Sequence, residues 1–297
     1  MTDAPILCIG AVLWDVIGRS PARMAAGADV PGRIRHVPGG VALNVAAALA
    51  TRGQPVAVLG AVGLDAQGEA LISAAQAMGI DTRYLHRSDL PTDVYMAIED
   101  QDGLIAAIAD AHSLEAAGEA VLAPLHDGRL ASRAAPWTGT VVLDGNLTTA
   151  QLAAIAADAT LAQADLRVVP ASPGKADRLL PLMGLAHVTF YLNRAEAETL
   201  AGHPCASAAE AAAAVVARGA ARVLVTDGAR PAACAITGGD TLSATPPVVT
   251  ITRVTGAGDC FLAAHLTAER RGADRAAALD AAIAAAAAHV AGTSSSV

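Results

Sequence analysis

The run Thr255-Gly256-Ala257-Gly258-Asp259 carries the clearest chemistry in this chain. It follows the β-like stretch Val248 to Thr252 and leads into the apolar residues Cys260 to Leu266, the pattern of a loop that opens a helix. Small residues let the backbone N–H groups of Gly256, Ala257 and Gly258 converge on an anion, and the positive end of a helix macrodipole favours negative charge there. A phosphoryl group would fit such an anion hole. Asp259, in the first helical turn, is then placed to accept the proton of an acceptor alcohol while those amides stabilise the transferring oxygens. A plain helix start would use the same residues. A dinucleotide fingerprint would not, because Phe261 stands at its third glycine and the motif lies late in the chain.

Other segments supply the groups a phosphoryl acceptor and donor would need. Pro38-Gly39-Gly40-Val41-Ala42-Leu43-Asn44 opens a helix running to Arg52, where paired glycines permit close backbone approach of a ligand and Asn44 could reach back to a sugar hydroxyl. Asp15, just beyond the first apolar run, has the chemistry to accept two hydrogen bonds from a vicinal diol, or to cap a loop. Asn193 and Glu196 share a helical face and could hold a water-coordinated Mg²⁺, while the same spacing is that of a capping box. Thr226-Asp227-Gly228 ends a strand and could touch nucleotide phosphates or only turn the chain. Asp110 and His112, after the hairpin, and Asn146, after a core strand, could each meet the edge of a substrate or stand as a solvated loop position.

Positioning these groups is the work of alternating elements. β-rich runs at Ile6 to Ile9, Val56 to Leu59, Val141 to Leu143, Arg167 to Val169, Val188 to Tyr191 and Arg222 to Thr226 are separated by alanine-rich helical stretches such as Ser207 to Arg218 and Ala276 to His289. The alternation predicts α/β architecture, a mostly parallel sheet with helices on both faces and ligands at the carboxyl ends of its strands. Two segments break the pattern. Gly32 to Val37 and Asp93 to Asp110 have strand character without helices between them, and Gln101-Asp102-Gly103 reads as the turn of a hairpin, so a small antiparallel flap is expected. Ser207 with Glu210 marks a helix start, and the Thr293 to Ser296 tail is expected to fray. No internal repeat or linker divides the 297 residues, and one domain is expected.

Composition narrows the ligand. A net charge of −8 and an aromatic content of 2% provide neither the basic patch nor the stacking platform of a nucleic-acid binder, so a small molecule is the expected partner. Lys175 is the sole lysine, and its surroundings lack the first glycine and the Ser/Thr of a P-loop. Cys8, Cys205, Cys234 and Cys260 are too scattered for a zinc site or a disulfide framework. The hydrophobic fraction of 54% is carried by alanine, no membrane span is expected, and Asp3 stands where a signal peptide would carry a basic residue. A cytoplasmic location follows as an expectation.

Taken in order, Asp15, Gly39-Gly40 with Asn44, Asn193-x-x-Glu196, Thr226-x-Gly228 and Gly256-x-Gly258-Asp259 resemble the ribokinase family of carbohydrate and nucleoside kinases over nearly the whole chain. The resemblance implies a ribokinase-like three-layer core with a β-sheet lid contained within 12–38 and 92–110, and transfer of the ATP γ-phosphate to a primary hydroxyl. It makes Asp259 the base, Gly256, Ala257 and Gly258 the anion hole, and Asp15, Gly39, Gly40 and Asn44 the sugar site. Asn193 and Glu196 would organise Mg²⁺ and phosphate, and Thr226 and Gly228 the nucleotide. Within the family, the segments 31–41, 107–110, 193–200 and 254–259 are similar to those of pseudouridine kinases. Two residues depart from the pattern: Pro231 stands where the nucleotide loop usually has a second glycine, and Arg253 where many members have an aspartate that helps hold a monovalent cation. Activity independent of potassium is therefore expected. Two subunits could pair through exposed apolar residues of the flap, such as Met96 and Ile98 or those of the opposite face.

Overall fold

The computed structural model describes residues 4–293. In chain order its strands are β1 (Ile6–Ile9), β2 (Leu13–Arg19), β3 (Arg33–Gly39), β4 (Val56–Leu59), β5 (Ala61–Gly63), β6 (His86–Ser88), β7 (Val94–Asp100), β8 (Gly103–Asp110), β9 (Thr140–Asp144), β10 (Asp165–Val169), β11 (Val188–Asn193), β12 (Arg222–Asp227), β13 (Arg230–Ile236) and β14 (Leu242–Ala244). The α-helices are α1 (Val41–Ala50), α2 (Ala66–Ala77), α3 (His112–Ala117), α4 (Thr149–Ala156), α5 (Arg194–Ala201), α6 (Ala208–Ala217), α7 (Ala257–Arg270) and α8 (Arg275–Val290).

Eight strands form the main sheet in the order β14-β13-β12-β11-β10-β9-β1-β4. Those from β12 to β4 are parallel, and β13 and β14 close one edge antiparallel. Successive residues of a strand face opposite sides, so a strand covered on both faces must be apolar throughout. In β1, Leu7 and Ile9 belong to one buried cluster with Leu152 of α4, Leu200 of α5 and Val215 of α6, whereas Ile6 and Cys8 belong to another with Leu43 of α1, Phe261 of α7 and Leu279 of α8. This is the three-layer core expected from the alternation.

A second sheet, β3-β2-β7-β8, stands apart from the first. It consists of two antiparallel hairpins joined by a parallel β2–β7 pair. Its root is fixed by Asp93, buried just before β7, whose carboxylate accepts the N–H groups of Ser113 (2.8 Å) and Leu114 (3.1 Å) where the chain returns from β8 into α3. The hairpin turn falls at Gln101-Asp102, with Gly103 at φ +118°. β5 and β6 pair separately beside it.

Two expectations differ from the structure. The β-like stretch before the Gly-rich run is not a strand: residues 248–251 are irregular, with Val248, Thr250 and Ile251 exposed and Val249 half-buried, and Thr252 donates its N–H to Val290 at the end of α8 (2.9 Å). The helix after Gly39-Gly40 stops at Ala50 rather than Arg52. Ser207 caps α6 as expected, accepting the N–H of Glu210 at 3.2 Å. Residues 294–297, which the frayed-tail expectation also covers, lie outside the described residues.

Candidate active site

Because the strands are parallel, the loops after β1, β9, β11 and β12 emerge along one edge of the sheet, and helix N-termini point at the same edge. Three glycines let the loops there approach closely. Gly10, at φ +149°, has Asp144 so near that a Cβ would lie 2.3 Å from its carboxyl carbon. A Cβ on Gly40, at φ +92°, would lie 2.4 Å from the Ala11 carbonyl, so only glycine lets α1 start against the β1–β2 turn. Gly39 faces Asp15, whose Oδ2 would be 2.2 Å from an added Cβ. Gly39 thus seats Asp15 against bare backbone, and desolvation pushes its carboxyl up to about 6.

Asp144, at the end of β9, carries no solvent exposure. Its Oδ2 accepts the N–H of Ala11 (2.8 Å) and of Ala42 (2.9 Å), and its Oδ1 that of Asn146 (2.7 Å). One carboxylate therefore pins the β1–β2 turn, the first turn of α1 and the loop after β9 together. Lys175 joins the same edge, donating from Nζ to Asn146 Oδ1 at 2.8 Å. Sequence reasoning weighed Asn146 but passed over Asp144 and saw Lys175 only as a missing P-loop.

Gly256, at φ +83°, precedes the first residue of α7 with no side-chain cap. The N–H of Ala257 is not available to an anion: it donates to the Val254 carbonyl at 3.1 Å. This corrects the three-amide anion hole. Among the described residues, no protein acceptor takes the N–H groups of Gly256 and Gly258, so two amides and the helix field make the hole. Asp259 follows in the same turn, partly exposed, with the Asn44 amide donating toward it. Burial, then the nearby charges of Asp144, Asp15 and Glu196, push its carboxyl up to about 7, against the smaller opposing effect of Asn44. Asp15, Asn44, Asp144, Glu196 and Asp259 thus converge at one edge although they come from five different elements.

Asn193 and Glu196 form a reciprocal capping box on α5, Asn193 Oδ1 accepting the N–H of Glu196 (2.9 Å) and Glu196 Oε2 that of Asn193 (2.8 Å). Glu196 is buried, which pushes it up to about 7. Side chains committed in this way suit a cation held through water. No cluster of three or more His, Cys, Asp or Glu that could ligate a metal directly occurs among the described residues. The crowd of carboxylates around Asp259 nevertheless favours a divalent cation brought in with a polyphosphate. Thr226 and Gly228 flank the end of β12; Gly228, at φ +60°, turns the chain into β13, and Asp227 is held by Arg194 (3.1 Å) and Arg230 (2.9 Å). Pro231 lies within β13. Asp110 is not brought beside Asp15. It lies in the row of Trp14 and Val94, whereas Asp15 lies in the row of Val37 and Tyr95, and adjacent rows face opposite sides of the sheet. Its carboxylate is bonded to His112.

The sequence matches the pfkB family of carbohydrate kinases over residues 3–297, and the chain belongs to that family. Its fold is ribokinase-like: the chain is similar to the Arabidopsis thaliana ribokinase complexed with ribose and ATP (TM-score 0.74, 21% identity, covering 97% of this chain and 92% of that one). Among curated proteins it is 29% identical over 263 residues to the pseudouridine kinase of Escherichia coli, covering 87% of this chain and 81% of that protein. A carbohydrate kinase from Agrobacterium tumefaciens is similar at TM-score 0.78 and 27% identity, covering 96% of this chain and 90% of that one. No helix among the described residues is long and apolar enough to cross a membrane.

Proposed function

We propose that this kinase transfers the γ-phosphate of ATP to the 5′-hydroxyl of pseudouridine. The observation that carries the transfer is Asp259, a partly buried carboxylate raised to about 7, one residue beyond the free N–H of Gly258. Asp259 takes the proton of the acceptor hydroxyl as that oxygen bonds to the γ-phosphorus and the bond from that phosphorus to the β,γ-bridging oxygen breaks, the electron pair leaving with ADP, and the N–H groups of Gly256 and Gly258 receive the charge on the transferring phosphoryl oxygens. Asp15, Gly39 and Asn44 hold the ribose, and Thr226 and Gly228 the nucleotide. Asn193 and Glu196 would hold, through water, a Mg²⁺ brought with ATP, which would neutralise phosphate charge.

Pseudouridine as acceptor is supported by the likeness to the Escherichia coli enzyme. Its ring carries one N–H donor that uridine lacks, and a pocket offering that donor an acceptor leaves the acceptor unpaired with uridine, at a cost of about 1–3 kcal/mol. Initial rates with ATP and Mg²⁺ should favour pseudouridine over uridine by about tenfold or more in kcat/KM, with ribose and adenosine poorer still and the 5′-monophosphate identified by mass. Equal or better turnover of ribose or adenosine would overturn the acceptor and leave the kinase reading standing.

We infer in addition a homodimer formed through the lid. Pairing and alternation put Ile34, Met96, Ile98 and Ile108 on one face of that sheet, all of them exposed, Ile34 by 72% and Ile108 by 69%. An apolar face of this kind on a small sheet is suited to a second copy of itself. Ile108→Asp should convert a dimer to a monomer in sedimentation; a wild-type protein that is monomeric at tens of micromolar rejects the pairing.

A further inference from the structure

The turn that enters the anion hole is tied to the last turn of α8. Thr252 donates both its N–H and its hydroxyl to the Val290 carbonyl (2.9 Å each), and the Arg253 N–H reaches the same oxygen at 3.3 Å. Arg253 Nε donates to the His289 carbonyl (3.1 Å). His289 Nε2 lies 2.8 Å from the Thr255 carbonyl, and His289 Nδ1 lies 3.3 Å from an Arg253 guanidinium nitrogen. A carbonyl can only accept and a guanidinium can only donate, so the two contacts assign the proton to Nε2 and make Nδ1 the acceptor. The imidazole also packs on the hole itself, with Nε2 3.2 Å from where a Cβ of Gly256 would be.

These contacts do not fit a bound monovalent cation. The carbonyl oxygens of His289, Val290 and Thr255 each already take an N–H or O–H donor, and Arg253 stands at the sequence position where many family members have an aspartate. The end of α8 is the negative end of its macrodipole, where a fixed positive charge is favoured. We propose that Arg253 and His289 are positioning residues that do with the chain's own cation what a bound ion would otherwise do: Arg253 orients His289, and His289 holds Thr255 and Gly256 so that the Gly256 and Gly258 amides face the phosphoryl group. The inference rests on the kinase reading for its catalytic consequence but not for its geometry.

Steady-state kinetics in KCl and in choline chloride at equal ionic strength, with calorimetric ADP binding alongside, test it. The wild type should show kcat and ADP affinity within twofold in the two salts. Arg253→Ala and His289→Ala should each lose roughly tenfold or more in kcat, with KM for the nucleoside unchanged, because the hole is displaced and the sugar site is not. Added guanidinium ion should restore Arg253→Ala in part and leave His289→Ala unchanged, a difference that a general loss of structure would not produce. Circular dichroism checks that each variant is folded, and Arg253→Lys, which keeps the charge but loses the fork, should fall between. Several-fold activation of the wild type by potassium, or Arg253→Ala with wild-type kcat and ADP affinity, overturns the proposal. Should no nucleoside be turned over, the acceptor assignment fails, and the salt-independence of ADP binding and its weakening in Arg253→Ala still decide this one.

Discussion

Asp259→Asn is expected to lower turnover by roughly 10²-fold or more while leaving nucleoside binding nearly unchanged, since the amide keeps the size of the carboxylate but cannot take a proton. The pH profile gives an independent check. A base acts only when ionised, so kcat/KM of the wild type should rise as pH passes about 7, where Asp259 titrates, and this limb should be absent from the residual activity of the variant. Stability should move the other way. Asp259 and Glu196 titrate at about 7 and Asp15 at about 6 in the folded chain, each above the ordinary range of an unfolded carboxyl. Between those ranges the folded state binds more protons than the unfolded one, so stability falls as pH rises through about 4 to 7, and the whole cost is present above 7. Asp259→Asn removes one of these charges and should raise Tm at pH 8 in the absence of nucleotide. A variant with near-normal turnover rejects Asp259 as the base.

Asp144→Ala is expected to have the largest effect on folding. The carboxylate is fully buried and accepts three backbone N–H groups, from Ala11, Ala42 and Asn146. Truncation leaves these donors without a partner in a dry site, at roughly 1–3 kcal/mol for each group left unsatisfied, a large part of the stability of an ordinary domain. The loss should appear as a strongly lowered denaturant midpoint or as failure to accumulate folded protein. Asp144→Asn keeps an acceptor for Ala11 and Ala42 but sets an amide N–H against that of Asn146, and should be intermediate. If Asp144→Ala unfolds at the wild-type midpoint, the carboxylate is not what holds this edge together.

Much of the site could be read from local sequence because its parts are local devices. Gly256 and Gly258 before an apolar run specify a tight turn and an uncapped helix start, and Asp259 sits at a fixed offset from them. Asn193 and Glu196 are different: their spacing is right both for a capping box and for a shared cation, and only the formed pair of hydrogen bonds shows how the side chains are spent. Ala257 illustrates a finer limit. Its N–H is lost to the anion because the chain folds back by three residues to Val254, a choice of backbone angles that composition does not dictate.

The sequence by itself determined the strand–helix alternation, the mostly parallel sheet, the separate flap and the residues of the phosphoryl-transfer motif, since periodicity and turn chemistry act over a few residues. Tertiary structure alone decided what those residues touch. Asp144 binds Ala11 and Ala42 across 133 and 102 positions of chain, and His289 reaches the Thr255 carbonyl across 34. Asp110 is turned from the row of Asp15 by strand register, which depends on how β2, β7 and β8 align in space. Such contacts leave no local pattern, because the free energy that fixes them comes from packing the two faces of the main sheet and desolvating the edge where its loops meet.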